Sequence, residues 1–184
     1  MNHDNKTAIS QIIEELKESN LAVFLGAGVS VSVGYPDWNS FVKNLADKLE
    51  IDPDMPDGSF SSELLRNIPQ YYENEFGRSK LLERLDEMKH AEIMDCPLHS
   101  LIVQLPVKLF YTTNFDRLLE QELRNRGEDP NVIFNNDLAK HYAGKGKGGY
   151  RVIKLHGSEK DFDRVITRDD FAKFSFVKGE MIAN

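Results

Sequence analysis

Residues 21–38 read LAVFLGAGVSVSVGYPDW. Five apolar residues run straight into Gly-Ala-Gly, and Pro-Asp-Trp closes the stretch. So short an apolar run, unbroken and ended by glycine, reads as a buried strand of the kind found in parallel sheets. Two later runs repeat the pattern. Residues 107–111 lead into TTNFD at 112–116, and residues 150–155 lead into His156, Gly157 and Ser158. Ligands of parallel sheets sit beyond the carboxyl ends of the strands. The turns at 26–30, 112–116 and 156–158 fall there, and they are placed to converge at one edge.

Between these strands the spacing becomes helical. Ile9, Ile12, Ile13 and Leu16 keep one face over residues 7–20, and Trp38, Phe41, Val42, Leu45 and Leu49 do so after Pro36. Asp37 can cap that second helix by accepting its free N–H groups. Residues 51–60 (IDPDMPDGSF) read as a loop. Residues 61–104 read as short helical pieces broken at Pro69, Gly77 and Pro97, so 51–104 is expected to be a helical insertion within a single domain spanning 1–184. A helix over 115–126 closes at Gly127. Residues 132–134 and 165–166 suggest short strands, and GKGKGG at 144–149 a flexible basic loop. Strands alternating with helices predict an α/β fold, a parallel sheet with helices on its faces.

Composition narrows the functions. Thirty acidic against 23 basic residues give a net charge of −7, which works against direct nucleic-acid binding, because a phosphate-backbone binder carries the opposite bias. Cys96 is the single cysteine, so there is no internal disulfide and no Cys-rich zinc site. The polar start and the lack of a span-length apolar run predict a cytoplasmic chain with no membrane partner.

Gly26 and Gly28 let backbone approach a ligand without a Cβ in the way, and a helix starting near Val29 would aim N–H groups at an anion. The spacing is not the dinucleotide fingerprint, since Val31 stands where its third glycine would be, and no P-loop motif occurs. A ligand-free tight turn is the alternative. In TTNFD, Asn114 and Asp116 either serve a ligand or cap the following helix. His156, at a strand end, is a candidate general base or a structural histidine.

Taken together, GAGVS (26–30), GYPD (34–37), TTNFD (112–116) and KLHGS (154–158) resemble the sirtuin (SIR2) motifs GAGxS, GxPDF, TQNxD and LHG, in the same order, across residues 20–170. Trp38 and Asn39 replace the family's aromatic and arginine, Thr113 replaces its glutamine, and the four zinc cysteines are missing. These departures, with VITRDDF at 165–171, are similar to the SIR2-like domains of prokaryotic antiviral systems that hydrolyse NAD.

The resemblance implies a Rossmann-like sheet with no zinc module and NAD+ as substrate, without a metal. It implies that Asn114 holds the ribose or the attacking water and that His156 accepts a proton. Gly26, Ala27, Gly28 and Ser30 would hold the diphosphate. Asp37 would lie over the nicotinamide pocket, with Thr113 and Asp116 also in the nucleotide site. It further implies a homo-oligomer or a partner ATPase or sensor. The family's strand and Gly-Ser or Gly-Thr turn for adenosine do not follow within the sequence. The chain is therefore expected to be the N-terminal part of a longer protein, the alternative being an incomplete nucleotide pocket. The competing functions are a protein deacylase, against which the missing cysteines count, and a catalytically silent nucleotide-sensing or assembly module.

Overall fold

Leu25, Thr112 and Lys154 lie side by side, in register, across three parallel strands. The computed structural model describes residues 3–18, 20–88, 96–143, 149–159 and 161–183. The strands are β1 (Ala22–Leu25), β2 (Leu109–Thr112), β3 (Asn131–Ile133) and β4 (Arg151–Lys154), joined in the order β1-β2-β4-β3 with every pair parallel. The helices are α1 (His3–Lys17), α2 (Gly28–Val31), α3 (Trp38–Leu49), α4 (Leu64–Phe76), α5 (Arg78–Glu87), α6 (Pro97–Ile102), α7 (Leu118–Asn125), α8 (Asn136–Ala143) and α9 (Arg168–Ala183).

Side chains alternate across a strand, so each strand feeds two faces. Phe110 and Val152 turn to one face, where Leu119 and Leu123 of α7 and Val103 pack on them. Ile133 and Ile153 turn to the other, where Ala139 of α8 and Met181 of α9 cover them. The α/β fold with a parallel sheet and surrounding helices is thus present. Phe110 and Val152 are 0% exposed, and burying each contributes about 1.5–3 kcal/mol. A third core joins Phe41, Val42 and Leu45 of α3, Ile68 and Tyr72 of α4 and Leu81 of α5 with Ile166. These helices form a layer of their own beside the sheet.

Several local expectations need correction. The first strand is not buried on both sides. It pairs only with β2, and Phe24 is 63% exposed. The α1 helix forms, but Ile9, Ile12 and Ile13 stay exposed. Residues 165–166 are buried without being a strand, because Val165 N–H donates to His156 O at 2.8 Å and Ile166 N–H to Asp170 Oδ2 at 2.9 Å. The helix expected from residue 115 begins at Leu118, since Asp116 Oδ1 accepts the Leu118 N–H at 3.1 Å and starts it there. The sequence reading made no helix of 168–183.

Pro69 does not break α4. A proline inside a helix leaves the carbonyl four residues earlier without its donor. That carbonyl is Leu65 O, and the indole Nε1 of Trp38 donates to it at 3.2 Å. Gly77 does separate α4 from α5, at φ 87°, and Pro97 opens α6 rather than ending a helix. Residues 144–148 of the expected basic loop, and 89–95 of the expected helical pieces, lie outside the described residues. Among the described residues no helix is long and apolar enough to cross a membrane.

Candidate active site

The strand register brings the three turns together. Ala27, Asn114 and His156 each lie two residues beyond the aligned Leu25, Thr112 and Lys154. One further ladder bond ties each neighbouring pair: Thr113 N–H donates to Leu25 O at 3.3 Å and Leu155 N–H to Thr112 O at 2.8 Å. Beyond them opens a cavity of about 310 Å³ whose walls include Ala27, Ser30, Asp37, Thr113, Asn114, Asp116 and His156. Gly26 and Gly28 do not line it.

A polar network fixes the first two turns to each other. Ser30 Oγ donates to Asp116 Oδ2 at 2.8 Å and accepts from Asn114 Nδ2 at 3.1 Å. Asn114 Nδ2 also donates to Gly26 O at 3.2 Å, and its backbone N–H to Thr112 Oγ1 at 3.0 Å. Both amide hydrogens of Asn114 are therefore committed. Its Oδ1, which accepts no hydrogen bond among the described residues, is the atom left for a ligand.

His156 sits with its ring edge-on to Phe171 and Phe174, at centroid distances of 5.4 and 5.9 Å. Burial, reinforced by the nearby Lys178 ammonium, pushes its pKa down to about 4. The imidazole is neutral at pH 7, with a lone pair able to accept. Tyr35 also lines the cavity. Burial, and after it the charge of Asp116, pushes its hydroxyl up to about 12, so it remains a neutral donor. Asp37 caps α3, accepting Ser40 N–H at 2.7 Å, while lining the cavity.

Two turns of the site use glycine differently. At Gly157 the backbone takes φ +96°, and a Cβ would meet Asp161 Oδ2 at 2.7 Å and Arg164 Cα at 3.2 Å. The fold itself requires that glycine. A Cβ on Gly26 or Gly28 would meet nothing within 4 Å. Among the described residues no atom demands glycine there. Among the described residues no three His, Cys, Asp or Glu side chains are grouped as a metal site would need.

The sequence reading missed part of the wall. Trp38, Phe41, Phe115 and Phe171 make one side aromatic, and Arg164 adds a cation. Arg164 is held by the carboxylate of Asp86, at 2.6 and 3.3 Å. Trp38 and Phe115 stand inside the motifs and were within reach. Arg164 and Phe171 become part of the site only because the chain after His156 folds back. The one signal for Lys154 was a charge inside the apolar run VIKL.

A parallel sheet with three loop motifs gathered at its carboxyl edge is the arrangement the SIR2 resemblance implies, and residues 108–183 match the family model described as SIR2-like domain. Among characterised proteins, the chain is 33% identical over 94% of its length to the NAD(+) hydrolase ThsA of Acinetobacter baumannii (strain 532279), covering 34% of that protein. It is 32% identical over 93% of its length to the NAD(+) hydrolase ThsA of Cytobacillus dafuensis, covering 33% of it. It is 27% identical over 90% of its length to Defense-associated sirtuin 2 of Bacillus subtilis, covering 16% of it. The chain thus spans about a third of the length of the ThsA proteins it matches.

Proposed function

We propose that this domain takes NAD+ as substrate and hydrolyses the bond between nicotinamide and ribose, as a regulated effector of bacterial anti-phage defence. The observation that carries the reading is the meeting of Asn114, His156 and the turn at 26–30 around one cavity. The names of the relatives, NAD(+) hydrolase and defense-associated sirtuin, support the substrate and the setting.

In this reaction the C1′–N1 bond breaks and its electron pair leaves with nicotinamide, which departs neutral. Positive charge moves onto the ribose. A water oxygen then bonds to C1′ and gives up a proton, and the products are ADP-ribose, nicotinamide and a proton. Placement of water and ribose, rather than a strong acid, is what the protein must supply. Asn114 Oδ1 accepts from the water or a ribose hydroxyl. Neutral His156 accepts the proton that the water or ribose hydroxyl releases.

The backbone of Gly26, Ala27, Gly28 and Ser30 lies along the diphosphate. Asp116 holds Ser30 and starts α7, while Asp37 and Thr113 form the wall beside the nicotinamide. The aromatic side chains limit bulk water. Of the 51–104 insertion, residues 51–88 cover the site, with Leu85 and Met88 at the end of α5 on the cavity wall. The domain works in the cytoplasm as part of a longer chain, with a low basal activity that is raised when it assembles with its own copies or with a partner sensor or ATPase.

The test is product analysis. The intact protein, incubated with NAD+, is expected to yield equal amounts of nicotinamide and ADP-ribose. Replacement of His156 by alanine is expected to abolish both. An unchanged product yield in the variant would remove His156 from the chemistry.

A further inference from the structure

Lys154 precedes His156 by two residues and is 0% exposed, and Glu120 of α7 is 2% exposed. The lysine has three donor hydrogens. They meet Glu120 Oε1 at 2.9 Å, Phe115 O at 3.1 Å and Asp116 O. Every donor is used, and every partner belongs to the segment just after Asn114.

We propose that Lys154, with Glu120 as its counter-charge, is a positioning residue that holds Asn114 in place for the NAD+ reaction. A buried ion pair adds little net stability over an apolar pair of the same shape, because desolvating both charges offsets their attraction. What it supplies is geometry. The Phe115 and Asp116 carbonyls lie between β2 and α7, where neither ladder nor helix reaches them, and buried carbonyls need a donor. Lys154 is that donor for both.

The consequence passes to Asn114 in short steps. The lysine fixes the backbone of Asp116. The Asp116 carboxylate then holds the Ser30 hydroxyl at 2.8 Å, and Ser30 Oγ holds Asn114 Nδ2 at 3.1 Å. Because Lys154 ends β4 two residues before His156, one side chain fixes the spacing of the two candidate reacting groups. This inference rests on the NAD-cleaving reading for its kinetic arm alone.

The test replaces the pair by apolar residues of similar shape, Lys154→Met with Glu120→Leu, in the intact protein. Hydrogen exchange of amides 113–118 is expected to speed up about tenfold or more, with the exchange of α3 and α4 unchanged. The kcat for nicotinamide release is expected to fall about tenfold or more, while the Kd for NAD+ stays within about threefold. A structural contribution alone would shift the melting temperature without this split. Should the pair fail to fold, Glu120→Gln, which keeps the shape and an acceptor but removes the counter-charge, is read in the same two ways. A folded variant with unchanged exchange at 113–118, or with kcat within about twofold of wild type, overturns the proposal. If the wild-type protein releases no nicotinamide, the NAD-cleaving reading fails, and the exchange result alone decides the positioning of Asn114.

Discussion

The Ser30 hydroxyl donates to Asp116 Oδ2 at 2.8 Å, a buried hydrogen bond between residues 86 positions apart in the chain. It locks the glycine turn after β1 to the loop after β2. The same oxygen of Ser30 accepts from Asn114, so one hydroxyl sets the place of the amide proposed to orient water or ribose.

Ser30→Ala removes both contacts and leaves the Asp116 carboxylate and the Asn114 amide short of a partner. An unsatisfied buried polar group costs about 1–3 kcal/mol. Urea unfolding is expected to show a loss of that size, and NAD+ cleavage is expected to drop at denaturant-free conditions where the variant remains folded. Unchanged stability would mean the hydroxyl is replaced by solvent at no cost.

The two uses of glycine separate folding from binding. Gly157→Ala meets Asp161 at 2.7 Å in a backbone conformation of φ +96°, and is expected to destabilise by more than about 1 kcal/mol. Gly26→Ala and Gly28→Ala meet nothing, and are expected to melt within a few degrees of wild type while weakening NAD+ binding. Thermal melts beside NAD+ titrations check both halves. A Gly26→Ala variant that binds NAD+ as wild type does would take this turn out of the site.

His156 makes stability depend on pH. Its pKa is about 4 in the folded protein against an ordinary 6.5. Between those values the unfolded chain binds more protons, so stability is full above pH 6.5 and falls as pH drops toward 4, by up to about 3 kcal/mol. Unfolding free energies measured from pH 7 to pH 4 should show that fall, and His156→Leu should reduce it. The acidic limb of kcat/KM should likewise lie well below pH 6.5. A limb centred at 6.5 would show that the imidazole is not desolvated in the free protein.

Trp38 and Pro69 should be energetically coupled through the Leu65 carbonyl. Trp38→Phe leaves that carbonyl without a donor, at a cost of about 1 kcal/mol beyond the lost packing. Pro69→Ala restores the helical N–H, and is expected to recover that part in the Trp38→Phe background. A double-mutant cycle measures the coupling. A coupling near zero would mean that water serves the carbonyl instead.

The sheet and the two candidate reacting residues were legible because their signals are local. An apolar run of strand length, followed within three residues by Asn114 or His156, places a polar group just past a strand end whatever the rest of the chain does. The Asp37 cap was legible for the same reason. Pro69 was misread because its compensating donor, Trp38, lies in another helix. The α9 helix went unseen because Phe171, Phe174 and Phe176 do not share one face, and Phe176 is 89% exposed. Residues 165–166 looked like a strand because they are apolar and buried, yet their amides are satisfied by His156 and Asp170 instead of a neighbouring strand. The part played by Lys154 depends on carbonyls in a loop nearly forty residues earlier, a relationship no local pattern carries.

The central claim is that Asn114 and His156 work in one NAD+-cleaving site. The measurement that tests it most directly is nicotinamide release from NAD+ by the intact protein beside its Asn114→Ala variant, with both shown to be folded. Release by the wild type is expected, with at least a hundredfold less by the variant, on the order seen when a group that orients the reacting atoms is lost. Equal release by both proteins would contradict the claim.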